Sequence, residues 1–362
     1  GGIIMRDFNN QPRTKWSRSE IIGVCLVLLS VIILFISPGS LSDLIDVIIA
    51  KVFPVAIEIF LISNVGIAVI VSVIVGRILE RLGFTDGLIR LFLPIMKFFK
   101  INPSVIIPGI YNVLGDINAA GRIAGPVLVQ AKATKDKQKM AIATMIQSPQ
   151  SFATFVIGLI ALSKFGIPAL PVILLSIIAP LIVIPLVLKL TIYKDTKRVE
   201  LVELPRFTPN TPMLQTLFSS AIEGTELLLL VIIPAIAAVF TVIGVLDFFG
   251  IWSYIESGLA SALQLLQIEP STGIVSLLAS PTLAMAQLID VVESTDPRLI
   301  VGSFVLANSG LPLSVIFGQI PTTWAPISDL NEKEILKSAL LGTVIRFITA
   351  FVLAYVLTPL II

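Results

Sequence analysis

The sequence predicts an all-α polytopic membrane protein: two inverted repeats, each with a re-entrant helical hairpin and broken helices, preceded by one extra transmembrane helix. Composition is the first ground. Of 362 residues, 56% are hydrophobic and 13% charged, and the mean hydropathy is +1.00. Soluble domains carry about 25% charged residues, so a bilayer must solvate much of this chain. Repetition is the second. Ala56-Ile57-Glu58 recurs as Ala221-Ile222-Glu223, Ile101-Asn102-Pro103-Ser104 as Ile268-Glu269-Pro270-Ser271, and Phe155-Val156-Ile157-Gly158 as Val315-Ile316-Phe317-Gly318. The three matches keep one order, as a duplication would. The third is charge. Residues 77–100 and 130–140 are net basic, while their counterparts 242–267 and 290–300 are net acidic. Lys and Arg mark cytoplasmic ends, so equivalent elements fall on opposite sides in the two halves.

Along the chain, residues 1–19 read as a cytoplasmic tail, with Gly1-Gly2 a cloning remnant, and 20–40 as the leading transmembrane helix. No small-residue cleavage site follows its apolar run, where Ser37-Pro38-Gly39-Ser40 stands, so it reads as retained rather than as a signal peptide. Repeat 1 occupies 41–193, a cytoplasmic linker with its prolines 194–212, and repeat 2 residues 213–362. Membrane helices are expected at 20–37, 54–80, 140–163, 166–193, 224–246, 298–320 and 335–361. Amphipathic helices are expected at 41–52, 86–99 and 250–267, the last with Trp252 and Tyr254 at an interface. Hairpins are expected at about 103–131 and 271–292. Both open on Pro-Ser, and they are interrupted at Gly115-Asp116 and Ser280-Pro281. A second pair of breaks falls at Gln147-Ser148-Pro149-Gln150-Ser151 and Asn308-Ser309-Gly310-Leu311-Pro312. The expected location is the inner membrane, multi-pass, with the N-terminus cytoplasmic. The loop 321–337, also expected inside, carries more acidic than basic residues against that rule.

Several chemistries are excluded. There is no histidine and one cysteine, Cys25. That removes disulfides, His/Cys zinc sites and a Cys–His nucleophile. A net charge of +2 gives no purchase on nucleic acid. Phosphate loops and hydrolase motifs are absent, so an enzyme is not expected. The expected partners are the lipid bilayer and a small solute or ion, and a homo-oligomer is compatible with the sequence.

Non-helical backbone at membrane depth persists only where protein or a water-filled cavity receives it. The breaks therefore point to the site. Asn112, Asp116 and Asn118 offer oxygen ligands suited to Na+ or a polar solute, and Arg122 can hold an anionic group. Against this, Arg122 can also lock to Asp116 structurally. Gln147, Ser148, Gln150, Ser280, Thr282, Asn308 and Ser309 supply neutral hydrogen bonds, which also glue membrane helices together. Glu58 and Glu223, at equivalent repeat positions, are candidates for ion coupling together with Asp116. A charge at the bilayer centre costs about 2.5–3.5 kcal/mol on insertion scales. The bland reading of both glutamates is an interfacial helix start.

The stretches Ala221-Ile222-Glu223-Gly224 through Val231-Ile232-Ile233-Pro234 to Leu246-Asp247, and Gly115-Asp116-Ile117-Asn118-Ala119-Ala120-Gly121 with Gln147-Ser148-Pro149, resemble the nucleoside-recognition (Gate) domain. That domain is found in concentrative nucleoside transporters, the membrane part of ferrous-iron transport protein B and sporulation membrane proteins. The resemblance implies paired inverted repeats with a substrate site between hairpins and broken helices. It favours Asn112, Asp116, Asn118, Gln147, Ser148, Ser280, Thr282, Asn308 and Ser309. The Gln-Thr/Ser-Glu signature of nucleoside transporters is absent; its nearest echo is Gln147-Ser148-Pro149. The expected function is secondary active transport of a small polar or anionic solute by alternating access, coupled to Na+ or H+. The alternatives are a non-transporting membrane scaffold or assembly factor, and an ion channel.

Overall fold

The computed structural model describes residues 16–195 and 206–362. The expected tail up to residue 15 and most of the expected linker lie outside them. Among the described residues every regular element is helical. Helix α1 (Arg18–Ile36) starts on a capping box between Ser17 and Glu20 and buries none of its residues.

Each half then repeats one order of elements. In the first half, α2 (Ser40–Ile62) meets α3 (Asn64–Arg81) at a 55° bend. After them come α4 (Phe84–Phe98), the hairpin arms α5 (Ile107–Asn112) and α6 (Ile117–Gln130), the broken pair α7 (Lys135–Met145) and α8 (Phe152–Phe165), and α9 (Ala169–Thr191). In the second half the counterparts are α10 (Met213–Phe248), α11 (Trp252–Leu265), arms α12 (Pro270–Leu278) and α13 (Pro281–Val291), the pair α14 (Pro297–Ala307) and α15 (315–324), and α16 (Glu332–Ile361). The start of α2 packs beside the end of α10, and α3 beside the start of α10. The two units therefore run antiparallel where they meet. The exchange recurs at the hairpins, with α6 against α15 and α13 against α8.

Four helices are long and apolar enough to cross a bilayer, α1, α9, α10 and α16, and the bent pair α2–α3 makes a fifth if it is one span. This is a multi-pass membrane protein. The spans expected at 140–163 and 298–320 are not continuous, because the polar, proline-bearing breaks interrupt them. Nor is 41–52 a separate interfacial helix. It is the first part of α2, which continues through Pro54 by opening into a wide π-helical turn. The other π turns, at Leu174–Ile178, Leu227–Ile232, Val315–Gln319 and Leu353–Leu357, each end two residues before a proline: Pro180, Pro234, Pro321 and Pro359. Proline lacks the N–H for the carbonyl four back and its ring crowds that carbonyl. A wider turn accommodates both defects without ending the helix. Trp252, expected at an interface, is instead buried against the core, while Tyr254 beside it is exposed.

Polar contacts sort the loops to two ends. At one end Asp86 accepts from the Phe207 and Thr208 amides at 3.0 and 2.9 Å and from the Thr208 hydroxyl. Lys135 and Lys139 both reach Glu334 at 3.2 Å, and Gln138 bonds Asp329 at 2.7 Å. The acidic excess of loop 321–337 is thus the partner of the basic 130–140 loop. At the other end Lys51 pairs with Asp247 at 2.9 Å. Not all of the counted charges are loop charges, because Arg77, Glu80 and Lys137 lie within helices and Glu80 and Lys137 are buried.

Partial burial would raise the Asp86 carboxyl, but the amide and hydroxyl bonds from Phe207 and Thr208, helped by Arg206, outweigh it and hold it below the ordinary carboxylate value. A depressed pKa contributes stability above the unfolded-state value, lost as pH falls through the folded one. Acidification below about pH 4 is therefore expected to free the 206–212 segment. Limited proteolysis there should rise at low pH, and Asp86→Asn should show the same rise at neutral pH.

Candidate functional site

The first hairpin turns over residues 113–116, where no side chain larger than that of Gly115 fits beneath the Tyr111 ring and carbonyl. Asp116 ends this turn as the N-cap of α6, accepting from the Asn118 and Ala119 amides at 2.9 and 3.0 Å. Capping satisfies helix donors that would otherwise be orphaned. Both bonds go to Oδ1, so one carboxylate oxygen serves the helix start. The Asp116 backbone also pairs with Ser151 in an isolated antiparallel bridge, which brings the hairpin turn against the first broken helix.

At that break, fully buried Asn112 donates to the Ser148 hydroxyl at 3.3 Å, and Ser148 donates to the Met145 carbonyl at 3.0 Å. Gln147 donates to the carbonyls of Ala143 (3.0 Å) and Gly342 (2.9 Å), tying the break to α16. Ser151 caps α8 and shares a hydroxyl contact of 3.0 Å with Thr154, which meets Thr282 at 2.9 Å. That contact joins α8 to the second hairpin, where the Ser280 hydroxyl accepts from the Leu283 amide. At the second break Asn308 donates to Phe304 and Ser309 to Leu306, both backbone carbonyls. The two breaks touch directly, the Gly310 amide donating to the Ile146 carbonyl at 3.0 Å. Asn118 closes the set, donating to Gln319 at 2.9 Å and accepting from Thr323 at 3.0 Å, both on α15.

Direct contacts thus connect both hairpins and both breaks. Within this belt three buried carbonyl oxygens have no hydrogen-bond partner: Oδ1 of Asn112, Oε1 of Gln147 and Oδ1 of Asn308. Buried polar atoms are nearly always paired. These three orphaned acceptors lie on residues of one polar belt, and a cation or a donor-rich solute is what would satisfy them. Gln150 stands half-buried at the edge of the first break.

The charged candidates are placed differently. Arg122 is exposed on α6, not locked to Asp116. Glu58 is exposed on α2. Glu223 is paired: Arg77 grips it through Nε at 2.9 Å and Nη2 at 2.5 Å while also holding buried Glu80 at 2.7 Å. Glu226, one turn on, is exposed. Among the described residues no group of three or more His, Cys, Asp or Glu is placed to hold a metal ion.

Sequence reasoning misses three features. Gln319 and Thr323 join the belt from helix positions that carry no break. Arg77, Glu80 and Glu223 form one network, where the sequence suggests loop charges and a free carboxylate. Arg346, wholly buried in an apolar helix, stands against the second break. A lone arginine inside such a run is the ordinary signal of an intramembrane functional charge.

No protein-family model matches the chain, and no curated protein matches it. Solved structures do. CNTnw, a concentrative nucleoside transporter, in an inward-facing substrate-bound state is similar with a TM-score of 0.61 at 12% identity, over 94% of this chain and 87% of that one. Its intermediate 2 state gives 0.60 at 12%, over 94% and 87%. A doubly substituted CNTnw in an outward-facing state gives 0.57 at 14%, over 93% and 85%. Over nearly its whole length, this chain shares the fold of the CNTnw transporter.

Proposed function

We propose that the protein is a secondary active transporter that moves a small polar solute by alternating access, with Na+ as the coupling ion. The observation that carries this reading is the belt itself: two hairpins and two broken helices in mutual contact, with three buried acceptor oxygens left unpaired. Neutral oxygens suit a hard monovalent cation. Of the carboxylate candidates, Asp116 caps a helix through Oδ1, Glu223 is ion-paired and Glu58 is exposed, so the unpaired neutral oxygens favour Na+ as the coupling ion. The lining favours a neutral solute over an anionic one, because Arg122 is exposed and each nitrogen of the buried Arg346 already donates to a backbone carbonyl.

The two halves act as inverted repeats about the bilayer midplane. Their antiparallel meeting, and the sorting of the 86/207 and 135/334 contacts to one end and 51/247 to the other, support this. The first end, rich in Lys and Arg, is assigned to the cytoplasm of an inner membrane. The N-terminus joins it across α1.

Alternating access makes a site residue reachable from each side in turn, without knowledge of the solute. The single native cysteine, Cys25, lies exposed on α1. In a Cys25→Ser background, Gln150→Cys is expected to react with a membrane-impermeant maleimide both in right-side-out and in inside-out vesicles. Labelling from one side only, or from neither, would favour the scaffold reading.

A further inference from the structure

Arg346 is the one wholly buried arginine among the described residues. Its three terminal nitrogens each donate to a backbone carbonyl: Nε to Val305 at 2.8 Å, Nη2 to Asn308 at 2.7 Å and Nη1 to Ser176 at 2.5 Å. No carboxylate lies within ion-pair distance of it among the described residues. Two of these carbonyls belong to the last turn of α14 and the start of the second break. There the helix leaves acceptors unused and its dipole is negative. The third lies in the π turn of α9. Three main-chain oxygens around one positive centre is the arrangement that a bound cation imposes on a broken helix.

The first half has no equivalent. Its counterpart of α16, helix α9, carries no Lys or Arg before Lys189 at its end. Both breaks carry an unpaired amide oxygen, Gln147 Oε1 in the first and Asn308 Oδ1 in the second, but among the described residues no arginine or lysine donates to the carbonyls of the first. We infer that Arg346 is a tethered cation that fills the backbone-carbonyl site of the second break in the place of a free ion, so that the corresponding carbonyls of the first break are the ones open to a coupling ion. Arg346 is thus a positioning residue. It fixes the carbonyl of Asn308, whose side-chain oxygen is buried and unpaired, and its charge is constant through a transport cycle. The clamp stands on geometry; only its consequence for coupling rests on the transport reading.

Removing the side chain should convert a permanent cation site into an exchangeable one. The test is the melting temperature of the full chain in detergent for wild type, Arg346→Ala and Arg346→Lys, with added guanidinium, urea or NaCl at about 10 to 50 mM. Arg346→Ala is expected to melt at least about 5 °C lower. Millimolar guanidinium should restore much of that, because it supplies the same planar donors. Urea, neutral and of similar shape, should not. Wild type should not respond to guanidinium. Arg346→Lys keeps the charge but not the fork, so it should melt between the two; it carries the test if Arg346→Ala yields no folded protein. Equal melting of all three proteins would overturn the clamp. So would a destabilised Arg346→Ala that urea rescues as well as guanidinium, or that neither rescues, and so would an Arg346→Lys no better than Arg346→Ala. If wild type shows no Na+ response while guanidinium rescues Arg346→Ala, the transport reading fails and the clamp stands.

Discussion

Arg77→Met is expected to lower the melting temperature by about 10 °C. Arg77 satisfies two carboxylates from two helices, Glu80 on its own helix α3 and Glu223 on α10. Glu80 is only 5% exposed through its side chain, against 45% for Glu223. Losing Arg77 strands the buried carboxylate more than the half-exposed one. Breaking a buried ion pair from one side costs about 3–5 kcal/mol, most of it the desolvated charge left behind. The double variant Arg77→Met/Glu80→Gln should therefore recover a large part of the loss, since no charge remains to bury. Arg77→Met/Glu223→Gln should recover little. Equal recovery by both would mean that the interhelical pair, not the buried Glu80, sets the cost. The network also lies beside Tyr111 of the first hairpin, which feels the charges of Glu80 and Arg77. These charges thus brace the hairpin that carries Asn112 against α3 and α10.

Asn112→Leu is expected to weaken the Na+ response at least tenfold in half-saturating concentration while leaving the fold intact, a loss of about 1.4 kcal/mol or more. Leucine keeps the volume of the buried position but removes the unpaired oxygen and the bond to Ser148. Asn112→Asp keeps oxygen ligands and should retain the response. The measurement is the melting temperature as a function of Na+ for the three proteins. If Asn112→Leu kept the wild-type Na+ response, the first break would not hold the ion.

The hairpins and breaks are legible in the sequence because glycine and proline interrupt a helix, and amides beside them inside an apolar run are costly to bury without partners. Gly115-Asp116, Ser280-Pro281, 147–151 and 308–312 all fall where the structure interrupts its helices. What joins these breaks is not legible. Asn118 meets Gln319 across more than half the chain, and no local pattern ties an asparagine on one helix to a glutamine on another. Charge misleads for a related reason. Counting Arg77 and Lys137 as loop charges assumes that they are solvated, whereas Arg77 is neutralised within the bundle and Lys137 is buried in α7. Asp116 shows the limit of composition most clearly. Its residue type fits a coupling carboxylate, and its position at the start of α6 adds a second role that composition does not show: Oδ1 caps the helix and the backbone bridges to Ser151. The proline of α2 misleads in the other direction, because a π turn carries the helix through Pro54 where an ordinary helix would stop.

Ion-coupled solute binding at the belt is read out by melting purified protein with nucleosides, amino acids, carboxylates and sugars, each in Na+ and in K+. One neutral solute class is expected to raise the melting temperature in Na+ and to do so weakly or not at all in K+. Identical melting in Na+ and K+, with and without every solute, would contradict it.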